Sequence, residues 1–155
     1  DAQRDGIAWT DDGSKVAVRV RAIDNKDGWL ANVDLANGAL LPVHRISDAA
    51  WVNRRADEFG WLPDNATLWY LSEESGYAHL YTKTGAAPAR ALTSGQWEVS
   101  AVEWSRDGKS AFCHISPEHR AAMPEAHGAD HVGRSRQSRT SVKDVHTSAA
   151  AYQSC

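Results

Sequence analysis

The adjacent carboxylates Glu73 and Glu74 are the residues of this sequence best suited to attract a cation. Two like charges side by side strengthen the Coulomb attraction for an opposite charge. They follow the strand-like run 67–71 and precede a Ser-Gly turn signal. Because consecutive strand residues point to opposite faces, the two side chains are not expected to converge on one cation. We predict a solvated or turn-stabilising pair.

A second candidate is the polar stretch 51–57, which separates two strand-rich segments and contains Arg54 and Arg55. Connections between rigid elements often hold binding residues, and an arginine can bind a carbonyl or carboxylate group. The alternative is a solvent-exposed connection whose arginines pair with Asp57 or Glu58. The residues alone leave both interpretations open.

A third candidate is the histidine-rich part after residue 112. His127 and His131 are four residues apart, a spacing that would place both on one helical face and could suit zinc. Gly128 lies between them, and no apolar stripe supports a helix there. We predict no metal site and no cofactor.

Composition excludes several classes of function. The chain has 155 residues, a formal net charge of −3 and 42% hydrophobic residues, enough for one domain with a sizeable core. The near-neutral balance argues against nucleic acid as a partner. No apolar run approaches the length of a membrane span, and no targeting signal is read. The cysteines, Cys113 and Cys155, are too few for a disulfide framework.

A repeat organises the first two thirds of the chain. Trp-Thr-Asp-Asp-Gly at 9–13, Trp-Leu-Pro-Asp-Asn at 61–65 and Trp-Ser-Arg-Asp-Gly at 104–108 are spaced by 52 and 43 residues. Each ends in a tight-turn signal whose last residue tolerates positive φ. Short strands repeating every 40 to 50 residues are typical of β-propeller blades.

The fold predicted from these units is all-β, with antiparallel four-stranded blades of a partial β-propeller over residues 1–112, about two and a half blades. Trp9, Trp61 and Trp104 occupy equivalent places, where an aromatic ring would fill space between blades. His79 is expected to be structural. Because unclosed blades leave edges and faces uncovered, we predict that the chain alone folds poorly or associates.

Residues 113–155 lack the strand pattern of the preceding part of the chain. Apolar residues other than alanine become isolated there, and the polar run 135–141 supports no alternation. Such a composition buries too little apolar surface to offset chain entropy, so disorder is expected. The pattern breaks within a strand, which favours a reading-frame slip over a genuine unstructured tail.

Two segments carry a resemblance to a known family. Ser-Glu-Glu-Ser-Gly-Tyr-Ala-His-Leu-Tyr at 72–81 and Leu-Thr-Ser-Gly-Gln-Trp-Glu-Val at 92–99 resemble the N-terminal β-propeller of dipeptidyl peptidase IV-type serine peptidases, of the prolyl oligopeptidase group. The resemblance covers roughly residues 5–112. Family members bind the substrate ammonium with a Glu pair in a helical insertion upstream of the matched segment, so Glu73 and Glu74 do not correspond to it.

The resemblance implies a parent enzyme in which the propeller caps a C-terminal α/β-hydrolase domain with a Ser-Asp-His triad. That enzyme would release dipeptides from free N-termini, preferring Pro or Ala at the second position. A connection between blades can face the substrate chamber of such an enzyme, so Arg54 and Arg55 are candidate substrate-binding residues, and the family pattern at these two positions is variable. The resemblance implies three partners, namely peptide substrate, the hydrolase domain and a second copy of the parent. It also implies, by analogy, a periplasmic or secreted location.

The chain itself contains no Gly-x-Ser-x-Gly, the strained turn that exposes a nucleophilic serine in α/β-hydrolases. We therefore assign no catalytic residue and expect the chain alone to be inactive. The open alternative is a free-standing β-propeller binding module without hydrolase activity.

Overall fold

Every regular element is a β-strand in the computed structural model, which describes residues 2–53, 57–115 and 139–143. The strands are β1 (Ala2–Trp9), β2 (Val16–Ala22), β3 (Asp27–Val33), β4 (Leu40–Ser47), β5 (Phe59–Trp61), β6 (Thr67–Ser72), β7 (His79–Thr84), β8 (Arg90–Ala91), β9 (Val99–Trp104), β10 (Ser110–Ile115) and β11 (Arg139–Lys143). The predicted all-β class is confirmed. Over the described ranges there is no helix that could cross a membrane.

The strands form three antiparallel sheets, each built from neighbours in sequence. β1 to β4 form the first blade and β5 to β8 the second, both in simple meander order. The third blade pairs β9 with β10 and β10 with β11. Such four-stranded meanders are the units of a β-propeller, which confirms the predicted partial propeller.

The repeat turns have the backbone conformation that their sequence requires. Gly13, Asn65 and Gly108 have φ of 69°, 52° and 67°, the left-handed region that Gly and Asn tolerate. In each turn the preceding aspartate accepts a main-chain N–H two residues further on, at 2.9 to 3.1 Å. The aspartate and the following residue therefore fix the hairpin together.

Alternation along the second blade explains how the sheets stack. On β6, Leu68 and Tyr70 pack against the first blade, whereas Trp69 and Leu71 pack toward the third. Two cores result, one on each face of the second blade. The first contains Ala17, Leu30, Leu68, Tyr70 and Tyr81. The second contains Leu71, Ala78, Leu80, Leu92, Trp97, Val99, Ala111, Cys113 and Ile115.

The three repeat tryptophans do not share one environment. Trp61 lies between the first two blades and donates its indole N–H to the carbonyl oxygen of Ala8 at 3.2 Å. Trp104 packs against Trp69, with ring centroids 6.1 Å apart. Trp9 is 52% exposed, so the expectation of a core position is wrong for it. Its register partner Val16 shows that it lies on the face of the first blade opposite Ala17, away from the second blade.

The third blade continues past Phe112, the end of the readable strand pattern. β10 runs to Ile115, and the side chain of Cys113 is completely buried against the second blade. Residues 139–143 pair with β10 as β11. The rest of 113–155, including His127 and His131, lies outside the described residues, and the assignment of this part to a non-family tail stays a prediction.

Candidate functional site

The candidate substrate-binding residues Arg54 and Arg55 lie outside the described residues. Their flanks are described, and they belong to one segment, residues 48–58, that joins β4 of the first blade to β5 of the second. We call this segment the connection. Its contacts show how both ends are held.

The first half of the connection is fixed to the β2–β3 turn. The amide of Asp48 donates to the carbonyl oxygen of Lys26 at 2.9 Å, and the amide of Val52 donates to that of Asn25 at 2.7 Å. The carboxylate of Asp48 accepts the amides of Ala50 and Trp51 at 2.7 and 3.1 Å. The backbone of residues 48–52 is therefore restrained at both ends by main-chain hydrogen bonds.

Asn53 ties the connection to the second blade. Its amide nitrogen Nδ2 donates to the carboxylate of Glu73 at 2.7 Å. Burial raises the pKa of Glu73 above its ordinary value, and the nearby carboxylates of Glu98 and Asp57 add to that increase, whereas the bond from Asn53 opposes it. The carboxylate of Glu73 therefore positions Asn53 of the connection.

Asp57 and Glu58 join the other end of the connection to all three blades. Asp57 forms a 3.0 Å ion pair with Arg19 of β2. The main-chain oxygen of Glu58 accepts the amide of Leu71 in the second blade, and its side-chain Oε2 accepts the amide of Val102 in the third, each at 2.9 Å. The start of β5 therefore lies where the three sheets meet.

The Arg19 side chain reaches this junction from the inward face of β2. Its guanidinium also donates to the carbonyl oxygen of Leu71 at 3.4 Å and lies over the ring of Phe59, 5.4 Å from its centroid. An arginine on the buried face of a strand needs such partners. The alternation of side chains between the two faces of the strand over residues 16–20 could have placed Arg19 on that face. Nothing in the sequence, however, identifies Asp57 as its partner.

His44 of β4 forms a second link between the first and second blades. Its Nε2 lies 2.9 Å from Ser72 Oγ, and its Nδ1 lies 3.4 Å from a Glu74 carboxylate oxygen. The imidazole stacks on Tyr70, with centroids 5.1 Å apart. Burial lowers the pKa of His44 below its ordinary value; Glu74 opposes this effect and Arg19 adds to it.

The contacts run from Ser72 to His44 to Glu74, the spatial arrangement of the nucleophile, base and acid in a catalytic triad. The surroundings of these three residues, however, do not suit catalysis. Ser72 is only 3% exposed, and its hydroxyl oxygen already accepts the amide of Glu74 at 3.2 Å. A carbonyl carbon would have no approach to this oxygen. The three residues therefore act as a structural link between blades.

The carboxylates of Glu73 and Glu74 contact different partners, Asn53 and His44. They therefore do not converge on one cation.

His79 is structural, as expected. It is 2% exposed, and its ring nitrogens lie 3.1 Å from the hydroxyl of Thr93 and the carbonyl oxygen of Gly95.

A cleft lies beneath the connection on the inward face of the first blade. Its apolar part is formed by Gly28, Leu30, Ile46 and Val52. Its polar edge is formed by Arg19, Arg21, His44, Asn53 and Asp57. Apolar clefts with a few polar groups are the usual form of a ligand site, and this one borders the segment that carries Arg54 and Arg55.

Three known proteins show what this architecture is similar to. The chain is 30% identical over 113 residues to the uncharacterized peptidase YuxL of Bacillus subtilis (strain 168), a match that covers 68% of this chain and 16% of YuxL. The crystal structure of Porphyromonas gingivalis dipeptidyl peptidase 4 superposes on 76% of this chain and 17% of its own, with a TM-score of 0.60 and 21% identity. A prolyl endopeptidase structure superposes on 74% of this chain and 18% of its own, with a TM-score of 0.55 and 20% identity.

The chain therefore spans less than a fifth of the length of each of these proteins. The structural likenesses concern the propeller fold. The family model for the dipeptidyl peptidase IV (DPP IV) N-terminal region matches residues 5–132, which is most of the chain and extends beyond Phe112. This protein belongs to the family of the DPP IV N-terminal region.

Proposed function

We propose that this chain is the propeller segment of a serine exopeptidase that releases N-terminal dipeptides, and that it serves substrate access and binding rather than bond cleavage. The observation that carries the proposal is the family match over residues 5–132. In this proposal a C-terminal α/β-hydrolase domain supplies the Ser-Asp-His triad. The peptide substrate and that domain are its partners, the parent enzyme forms a homodimer, and it is periplasmic or secreted.

The position of the connection supports a role in substrate binding. Propeller blades surround a central channel, and β5 and β9 are the first strands of their blades. Glu58 precedes β5 and bonds to Val102 of β9, so the end of the connection lies where the first strands approach each other. In this proposal Arg54 and Arg55 bind a carbonyl or carboxylate group of the peptide in the channel.

The test is an assay with dipeptidyl-nitroanilide substrates on this chain and on the polypeptide encoded together with the sequence downstream. We expect no turnover by the 155-residue chain, and turnover of substrates with a free N-terminus by the longer polypeptide. Arg54→Met and Arg55→Met in the longer polypeptide should raise KM with little change in kcat, since they would remove binding made equally in ground and transition states.

Two results would overturn the proposal. Cleavage of N-acetylated peptides as fast as of free ones would indicate an endopeptidase instead. Absence of a hydrolase domain in any downstream frame would favour the free-standing binding module.

A further inference from the structure

A side-chain hydrogen bond from Asn53 to Glu73 anchors the connection to the second blade. The Nδ2 atom of Asn53 lies 2.7 Å from Oε1 of Glu73. Arg54 is the next residue in the chain, so its Cα lies one peptide unit, about 3.8 Å, from that of Asn53. A contact that fixes Asn53 therefore also fixes the start of the segment that carries Arg54 and Arg55.

Glu73 can serve as an anchor because its own main chain is restrained. It directly follows β6, which ends at Ser72. Its carbonyl oxygen accepts the amide of Gly76 at 2.8 Å in the β6–β7 turn, and the amide of the next residue, Glu74, donates to Ser72 Oγ at 3.2 Å. A group held on a rigid element positions its partner more precisely than a group on a loop does.

The surroundings of Glu73 suit a hydrogen-bond acceptor better than an isolated charge. The residue is half-buried, and this burial, together with the carboxylates of Glu98, Asp57 and Asp48, raises its pKa above the ordinary value. A buried charge costs free energy unless it is paired and hydrogen-bonded. A neutral amide oxygen at the same place could accept the bond from Asn53 without that cost.

The other end of the connection has anchors of its own. Asp57 is paired with Arg19 at 3.0 Å, and the main-chain oxygen of Glu58 accepts the amide of Leu71 at 2.9 Å. These contacts remain when the bond at Asn53 is removed. Loss of that bond should therefore change the restraint on the connection without detaching it from the blades.

The neighbouring Glu74 offers a matched comparison. Its side chain is exposed, and its carboxylate lies 3.4 Å from Nδ1 of His44 in β4. The carboxylate of Glu73 contacts the connection instead. Substitutions at these two adjacent positions therefore separate a contact with the connection from a contact between strands of two blades.

We propose that Glu73 is a positioning residue for substrate binding, which holds Asn53 so that Arg54 and Arg55 are presented to the peptide. This inference rests on the proposed function, which assigns peptide binding to these arginines, and adds to it a residue that acts through Asn53. Without the bond, the binding conformation is populated for a smaller fraction of the time, and the apparent affinity falls by that fraction.

Steady-state kinetics of the longer polypeptide with a dipeptidyl-nitroanilide substrate tests this role. Glu73→Ala and Asn53→Ala should each raise KM by about threefold to tenfold, the factor expected for loss of one hydrogen bond, with little change in kcat. Glu73→Gln keeps the acceptor oxygen and should stay within about twofold of the wild-type KM. Glu74→Ala, the matched control, should leave KM unchanged.

A second comparison shows whether Glu73 acts through the arginines. In a variant that already carries Arg54→Met and Arg55→Met, Glu73→Ala should raise KM no further, because the groups that it positions are absent. Independent effects would instead multiply, as expected for sites that do not interact.

Limited digestion with trypsin measures the same restraint without any turnover of substrate. Trypsin cleaves after arginine and lysine, and its access to a folded chain follows the population of locally opened states. In the 155-residue chain, Glu73→Ala should increase cleavage after Arg54 and Arg55 by about threefold to tenfold. Cleavage after Lys109, in the β9–β10 turn, is the internal reference. Glu73→Gln and Glu74→Ala should not change this ratio.

Three kinetic results would overturn the inference. The first is an unchanged KM in Glu73→Ala when the arginine variants raise it. The second is an equal increase in Glu73→Gln and Glu73→Ala, which would indicate that the charge of Glu73 binds the substrate directly. The third is a full further increase from Glu73→Ala in the variant that lacks both arginines.

The digestion separates these outcomes from failure of the proposed function. Unchanged cleavage after Arg54 and Arg55 in Glu73→Ala would also overturn the inference. Increased cleavage in Glu73→Ala, with no turnover by the longer polypeptide, would contradict the proposed function and still support the restraint of the connection by Glu73.

Discussion

Arg19 and Asp57 form a 3.0 Å ion pair between the second strand of the first blade and the end of the connection. The Arg19 side chain is 11% exposed and that of Asp57 34% exposed. Desolvating such a pair costs free energy, which is recovered only when further partners are present. Here the carbonyl oxygen of Leu71 and the ring of Phe59 supply them. The pair therefore fixes the position of the connection relative to two blades.

We predict energetic coupling between these two residues. Arg19→Met and Asp57→Asn, singly and together, should give a coupling free energy of about 1 to 3 kcal/mol in urea unfolding. The surface pair Arg45–Asp27, at 2.8 Å with Arg45 61% exposed, is the control and should give less than about 1 kcal/mol. Equal coupling free energies in the two double-mutant cycles would show that the Arg19–Asp57 pair stabilises the fold no more than a surface ion pair does.

The blades could be predicted from the sequence because the residues that define each turn and strand are close together along the chain. The turn residues and alternating strands lie within a few positions of one another, and the three repeat turns end at Gly13, Asn65 and Gly108, each with the positive φ that the sequence predicts. Strand ends elsewhere differ by a few residues. β10, for example, continues to Ile115 because Cys113 and Ile115 pack on the second blade, a contact that local alternation does not reveal.

The candidate site could be predicted only in part, because its contacts are not local. The connection was identified from its polar composition, but His44 and Ser72 are 28 positions apart and meet only because the first two blades stack. The exposure of Trp9 was missed for a related reason. The repeat gives Trp9 the same position as Trp61 and says nothing about whether a sheet covers it.

Two glycines of the repeat turns should respond differently to the same substitution. Gly13 and Gly108 have nearly equal positive φ, so alanine at either costs roughly 1 to 2 kcal/mol in backbone strain. A Cβ at Gly13 would meet nothing within 4 Å, whereas one at Gly108 would lie 2.7 Å from Pro63 Cδ. Gly108→Ala should therefore lose about 1 to 3 kcal/mol more than Gly13→Ala. Equal losses in urea unfolding would mean that Pro63 moves away without cost.

The open face of the first blade should drive association of the chain. Ile7 and Trp9 are 47% and 52% exposed on it, and exposed apolar sheet surface favours contact with another chain. Trp9→Ser should shift the sedimentation distribution toward monomer at micromolar concentration. Leu35→Ser, which removes an apolar side chain 54% exposed in the β3–β4 turn, serves as the control. A monomeric wild-type chain with one cooperative melt would contradict this prediction.

The link between His44, Ser72 and Glu74 should make stability depend on pH in a defined direction. Because the pKa of His44 is lowered in the fold, the unfolded chain binds a proton more readily there. The stability contributed by neutral His44 is therefore complete above about pH 6.5 and is lost as pH falls below that value. One such proton changes the free energy of unfolding by at most about 1.4 kcal/mol per pH unit.

Urea unfolding at pH 7.5 and 5.5, at one fixed protein concentration, measures this contribution. The wild-type chain should lose stability between the two pH values, and His44→Phe, which keeps an aromatic ring on Tyr70 but cannot titrate, should lose less. His79, whose pKa is also lowered by burial, contributes in the same direction and remains in both proteins, so the difference between them isolates His44. An identical loss in both proteins would show that proton binding at His44 does not distinguish the folded from the unfolded chain.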